Sequence, residues 1–143
     1  METVGAEAHL RLGSAYLRLA RPEEALEEFR QVESSTSDPF LIYLTRYFRG
    51  RTLEAAGDGP AAIQAYRGAL QAVPRAESAA FALAALLFTR DARDEAFALV
   101  ESVLSTRPPA PDPWRLYGVG DFRFWPTLIA RLREGLMTKG GAR

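Results

Sequence analysis

Hydrophobic positions in this chain recur at helical spacing. Between Ala6 and Ala20, the residues Leu10, Gly13, Leu17 and Ala20 fall on one helical stripe, with Tyr16 beside it. Pro22 opens a second helical pattern with Glu23 and Glu24 in its first turn, where the positive end of a helix dipole favours acidic groups. Asp38-Pro39 reads as an N-cap and first helical position, and the pattern that follows is predicted to stop at Gly57. Asp58-Gly59-Pro60 turns the chain, and 61–73 supplies a partner helix. After Pro74, 77–90 and 94–106 give a third pair. No stretch alternates apolar and polar residues for long enough to predict a strand, so the fold class is all-α.

The pattern also repeats at longer range. The small residues Gly13, Gly50 and Ala84 each stand twelve positions before an alanine, Ala25, Ala62 and Ala96, and the frames step by 37 and then 34 residues. The polar run Ser34-Ser35-Thr36-Ser37-Asp38 is where the first step gains its three extra residues, which predicts a lengthened loop there. Tyr16, Leu53 and Leu87 follow the small residue by three positions, and Phe29, Tyr66 and Val100 follow the alanine by four. A single helix pair cannot bury its apolar face, so such units must stack, and the small residues let paired helices approach closely.

The segments Leu12-Gly13-x2-Tyr16 with Ala25-x3-Phe29, and Leu83-Ala84-x2-Leu87 with Ala96-x3-Val100 and Pro108, resemble the signature of the tetratricopeptide repeat family. The middle copy departs from it at Arg49, where an apolar residue is usual. The resemblance covers about 6–108. It implies a right-handed superhelical stack of three antiparallel helix pairs in one domain, with repeats at about 6–38, 39–74 and 75–108. It further implies a concave groove lined by the first helix of each pair, which binds another protein or peptide. Carried over residue by residue, the groove comprises Leu10, Ser14, Leu17 and Arg18, then Tyr47, Arg51, Glu54 and Ala55, then Phe81, Ala85, Phe88 and Thr89. The competing reading of Tyr47, Phe81 and Phe88 is that they pack between helices. The best-known subtype of the family grips a terminal carboxylate with lysines and asparagines; these stripes carry neither, and the chain has no Asn. An apolar groove with Arg51 and Glu54 at its centre suits an amphipathic helix or an apolar extended segment instead. The expected function is therefore a protein-interaction module. The alternative is self-assembly through the solenoid end or the groove, or a structural role within a larger protein.

Residues 107–143 do not repeat. Arg107-Pro108-Pro109-Ala110-Pro111 is a stiff, helix-breaking linker, and Asp112-Pro113 reads as another N-cap pair with Gly118 as a stop. Five of the fifteen aromatic residues lie between Trp114 and Trp125, and Pro126 is predicted to start a helix with Leu128, Ile129, Leu132 and Leu136 on one face. An aromatic-rich linker and capping helix over 109–137 is expected to cover the helix at 94–106, the rival being that its aromatics enter the groove. Residues 138–143 are expected to be disordered.

Composition narrows the chemistry. Eighteen basic residues balance eighteen acidic ones, which argues against a nucleic-acid surface or an anionic-membrane surface. The chain has no cysteine, which excludes disulfides and cysteine-based zinc or catalytic sites. No apolar run approaches the roughly 20 residues that span a bilayer. Residues 1–8 lack the basic start and apolar stretch of a signal peptide, so the cytoplasm is the default expectation. His9 is the single histidine, and with no cysteine and no second histidine it reads as a surface or inter-helix residue rather than a general base. Glu23, Glu24, Glu27 and Glu28 read as solvated helix surface, and Arg46, Arg49 and Arg51 as salt-bridge formers rather than a phosphate site. Gly118-Val119-Gly120 is too short for a dinucleotide loop. No enzyme activity and no cofactor or metal are expected.

Overall fold

The computed structural model describes residues 2–118, and every regular element among them is helical. In chain order these are α1 (Glu2–Arg18), α2 (Pro22–Ser35), α3 (Pro39–Ala55), α4 (Gly59–Ala72), α5 (Glu77–Thr89), α6 (Arg93–Leu104) and a short α7 (Pro113–Gly118). The chain divides into two compact units, Met1–Pro113 and Trp114–Arg143. In the second, the rings of Trp114 and Tyr117 stack with centroids 6.2 Å apart. The expected capping helix with Leu128, Ile129 and Leu132, and the expected disorder at 138–143, lie outside the described residues.

In the first unit α1 packs on α2, α3 on α4 and α5 on α6, and the pairs join through α2 against α3, α4 against α5 and α1 against α3. The small residues act as predicted. A Cβ added at Gly13 would sit 2.5 Å from the Phe29 ring, and one at Gly50 closer still to the Tyr66 ring. Both rings are fully buried, as are Ala25 and Ala62.

Each pair turns through the same backbone device. Ala20, Gly57 and Asp91, one repeat step apart, adopt φ of +55°, +82° and +61°. The residue after each donates its N–H back across the helix end: Arg21 to the Tyr16 carbonyl, Asp58 to Leu53 and Ala92 to Leu87, at 2.9–3.0 Å. This is the Schellman closure, which satisfies carbonyls the helix leaves open. Only the middle turn uses glycine for it.

The join between the first two pairs differs from expectation. Ser34 and Ser35 belong to α2, their hydroxyls donating to the Gln31 carbonyl, and only Thr36 to Asp38 connect the helices. The extra residues go into helix: α3 has 17 residues where α5 has 13. The cause is local. The Asp38 carboxylate accepts from the Phe40 and Leu41 N–H groups, and Pro39 presets the first turn, so α3 starts early.

α5 begins without a cap of its own, since Ala76 at the N-cap position offers no side-chain acceptor. The acceptors come from far away in sequence. Asp112 Oδ2 accepts from the Ser78 N–H at 3.2 Å and from the Ser78 hydroxyl at 2.6 Å. Tyr43 Oη accepts from the Ala79 N–H at 3.1 Å and donates to Asp112 Oδ1 at 3.3 Å. Asp112 precedes α7 as an N-cap would, yet these bonds run to α5. The residue is 7% exposed, and of the donors it serves the Tyr43 hydroxyl is buried and Ser78 half-buried. Asp112→Ala is expected to cost about 2 kcal/mol in urea unfolding, the penalty of orphaning buried donors. A loss under about 0.5 kcal/mol, the level of an ordinary surface change, would mean the cap is not needed.

Candidate partner-binding surface

The twelve positions expected to line a groove separate by burial. Leu10 is 0% and Tyr47 4% exposed, so neither presents a side chain to a partner. This corrects the sequence expectation, and the reason is neighbouring structure. α1 is flanked by both α2 and α3. Tyr47 folds into an aromatic cluster, stacked on Tyr43 at 6.2 Å and tilted against Phe48 at 6.0 Å and Tyr66 at 5.9 Å. The position one step on, Phe81, is 39% exposed, and Phe88 is 46% exposed. Ser14 and Leu17 are half-buried, while Arg18, Arg51, Glu54, Ala55, Ala85 and Thr89 are exposed. The Ser14 and Thr89 hydroxyls are spent on helix carbonyls, of Arg11 and Leu86. Leu17 and Ala55 line one small cleft of about 160 Å³ with Thr52 and Pro22.

The central charges are held from beneath. Arg51 donates to Tyr47 Oη at 3.3 Å, and the Tyr66 hydroxyl donates to Glu54 Oε2 at 2.7 Å. Burial, reinforced by the Glu54 carboxylate, pushes the Tyr66 phenol well above its usual range; burial and then the Asp112 charge do the same for Tyr43. Both phenols therefore remain protonated donors. The Arg51 guanidinium and the Glu54 carboxylate are each exposed yet held by one hydrogen bond, which lowers the entropy cost of using them in a contact.

On the third pair, Phe88 meets Phe97 edge-on at 6.1 Å, and the Arg93 guanidinium lies 5.1 Å over the Phe88 ring. Phe97 is 62% exposed, and it lies outside the expected groove stripes because it stands on a second helix. A signal was present: Phe97 follows Ala96 as Leu26 follows Ala25 and Ile63 follows Ala62.

The chemistry-bearing clusters resolve into ion pairs. His9 Nδ1 is hydrogen-bonded to Glu28 Oε2 at 2.6 Å, tying α1 to α2. Glu24 pairs with Arg21 and Glu27 with Arg30, and these bonds hold both carboxyls below the usual range. Arg46 and Arg49 both reach Glu33, at 2.9 Å each, whereas Arg51 points to Tyr47. The three arginines therefore do not converge. An open cleft of about 960 Å³ between α2, α3 and α4 is lined by these same paired charges. Among the described residues no group of three His, Asp or Glu side chains could hold a metal ion, and no helix is long and apolar enough to cross a membrane.

The family model described as tetratricopeptide repeat matches residues 4–40 and 47–111. The crystal structure of the TPR domain of Arabidopsis FLU is similar in fold, with a TM-score of 0.61 at 22% identity, covering 71% of this chain and 93% of that one. No curated protein gives a significant match. Tetratricopeptide repeats generally mediate protein–protein interaction, and the fold typically serves as a non-enzymatic scaffold. Three stacked helix pairs, small residues under buried rings at the repeat step, and a family match over most of the described helices lead to one assignment: the chain belongs to the tetratricopeptide repeat family.

Proposed function

We propose that the protein is an interaction module that binds an apolar or amphipathic segment of a partner along the exposed side of its first helices. The observation that carries this reading is the pair Phe81 and Phe88, two turns apart on α5 and each more than a third exposed. Large aromatics left in water at helical spacing mark a contact surface. Ala85 lies between them, low enough to admit a side chain from a ligand. Arg51 and Glu54, braced by the tyrosines, add fixed charges of both signs that set the direction of an amphipathic helix. Ser14, Leu17, Arg18, Ala55 and Thr89 complete the surface; Leu10 and Tyr47 support it from within. The reading requires no cofactor and no nucleic acid.

The test uses an array of synthetic amphipathic helical peptides. Phe81→Ala with Phe88→Ala is expected to weaken the best binders by about tenfold or more, as for exposed aromatic anchors. Glu27→Ala with Glu28→Ala leaves them nearly unchanged. Equal losses in the two variants would remove the groove from consideration, and a circular-dichroism melt verifies that both remain folded.

A further inference from the structure

Repeat arithmetic shows which faces a helix pair offers its neighbours. On first helices, Ala8, Leu12 and Ala15 of α1 step to Thr45, Arg49 and Thr52 of α3, and then to Ala79, Leu83 and Leu86 of α5. On α3 and α5 most of this stripe is covered: Thr45, Thr52 and Ala79 are 0% exposed and Leu83 is 3% exposed, while Arg49 and Leu86 are half-buried. On α1 all three positions are exposed, Leu12 at 43%, and Leu19 continues the stripe at 66%. Second helices show the converse. Ile63 of α4 is buried, while its counterpart Phe97 on α6 is exposed, as is Leu104.

Equivalent positions flank both internal junctions. Glu33 of α2 meets Arg49 of α3 at 2.9 Å, and at the same two positions one step on, Leu70 of α4 and Leu83 of α5 line a common cleft. The next pair of equivalents is Leu104 of α6 and Leu12 of α1, both apolar and both exposed.

We propose that copies of this chain stack end to end, α6 of one molecule packing on α1 of the next in the register of the internal junctions, with Leu104 set against Leu12. The occupant of each face is a second copy, because the chain itself carries both halves of a junction it already makes twice. The contact joins two different faces, so it is head-to-tail rather than two-fold, and repeating the stacking step of the internal junctions continues the array instead of stopping at a dimer. Its Leu104–Leu12 contact uses no residue of the peptide-binding surface, and the proposal does not depend on that reading.

Sedimentation of the full chain from micromolar to millimolar concentration tests the proposal. The average mass is expected to rise without a plateau at the dimer. Leu12→Arg and Leu104→Glu, both at exposed positions, should each weaken association by about tenfold or more, since each buries an unpaired charge in the junction. Mixing the two variants should restore it. The introduced carboxylate then faces the introduced guanidinium, as Glu33 faces Arg49 within the chain, while the other junction of the mixture remains leucine to leucine. A chain that stays monomeric throughout overturns the proposal. So does association that the single variants leave unchanged, or that the mixture fails to recover. Phe81→Ala alone should leave the sedimentation profile as it was, and the leucine variants should leave peptide binding as it was, so either reading can fail alone.

Discussion

Tyr43→Ala is expected to lower unfolding stability by about 4 kcal/mol, and Tyr43→Phe by about 1–2 kcal/mol. The first figure reflects the loss of a ring with no exposed surface, stacked on Tyr47. The second isolates the hydroxyl. With it gone, the Ala79 N–H loses its acceptor and Asp112 loses a donor, while the packing is kept. Domains of this kind are stable by about 5–15 kcal/mol, so the alanine variant should unfold at markedly lower urea concentration. If phenylalanine proves as stable as tyrosine, the hydrogen-bonded link between α3, α5 and Asp112 carries no weight and the ring alone matters.

The second large effect runs against helix propensity. Alanine favours a helix interior over glycine by about 1 kcal/mol, so Gly50→Ala in α3 would ordinarily stabilise. Here the added methyl would strike the Tyr66 ring at three carbons, and that ring is fully buried and bonded through its hydroxyl to Glu54. It cannot swing aside without leaving the cluster with Tyr47. We expect a net loss of about 2–3 kcal/mol, from overpacking that outweighs the propensity gain. Gly5 makes a control, because a methyl there meets nothing within 4 Å. Equal thermal shifts for Gly5→Ala and Gly50→Ala would mean the close approach at Gly50 is not rigid.

The features legible in the sequence are those that recur. Gly13 beneath Phe29 and Gly50 beneath Tyr66 repeat at a fixed step, and so does the alanine across from them, which is why the pairs and their order could be read directly. The features that escaped are contacts made once. Arg49 breaks the apolar pattern, and only the structure shows that Glu33 answers it from the preceding helix. The added turn of α3 reads as loop in the sequence because serine and aspartate signal both turns and helix ends, and Asp38 serves as the latter. Among the groove residues, Leu10 and Phe81 occupy the same repeat position, yet one is sealed and the other open. That difference arises from what lies beside each helix, which no local pattern records.

The capping of α5 by Asp112 bears on where this module can be cut. Repeat counting would end the last pair at Pro108, and the family match ends at residue 111. The bonds end one residue later, on a side chain that belongs to no repeat. As a portable unit, one to be fused or grafted into another protein, the three pairs therefore extend through Asp112. A transplant trimmed to the repeat boundary would leave the Ser78 N–H at the start of α5 without its acceptor, a defect invisible in the repeat alignment and located more than thirty residues from the cut.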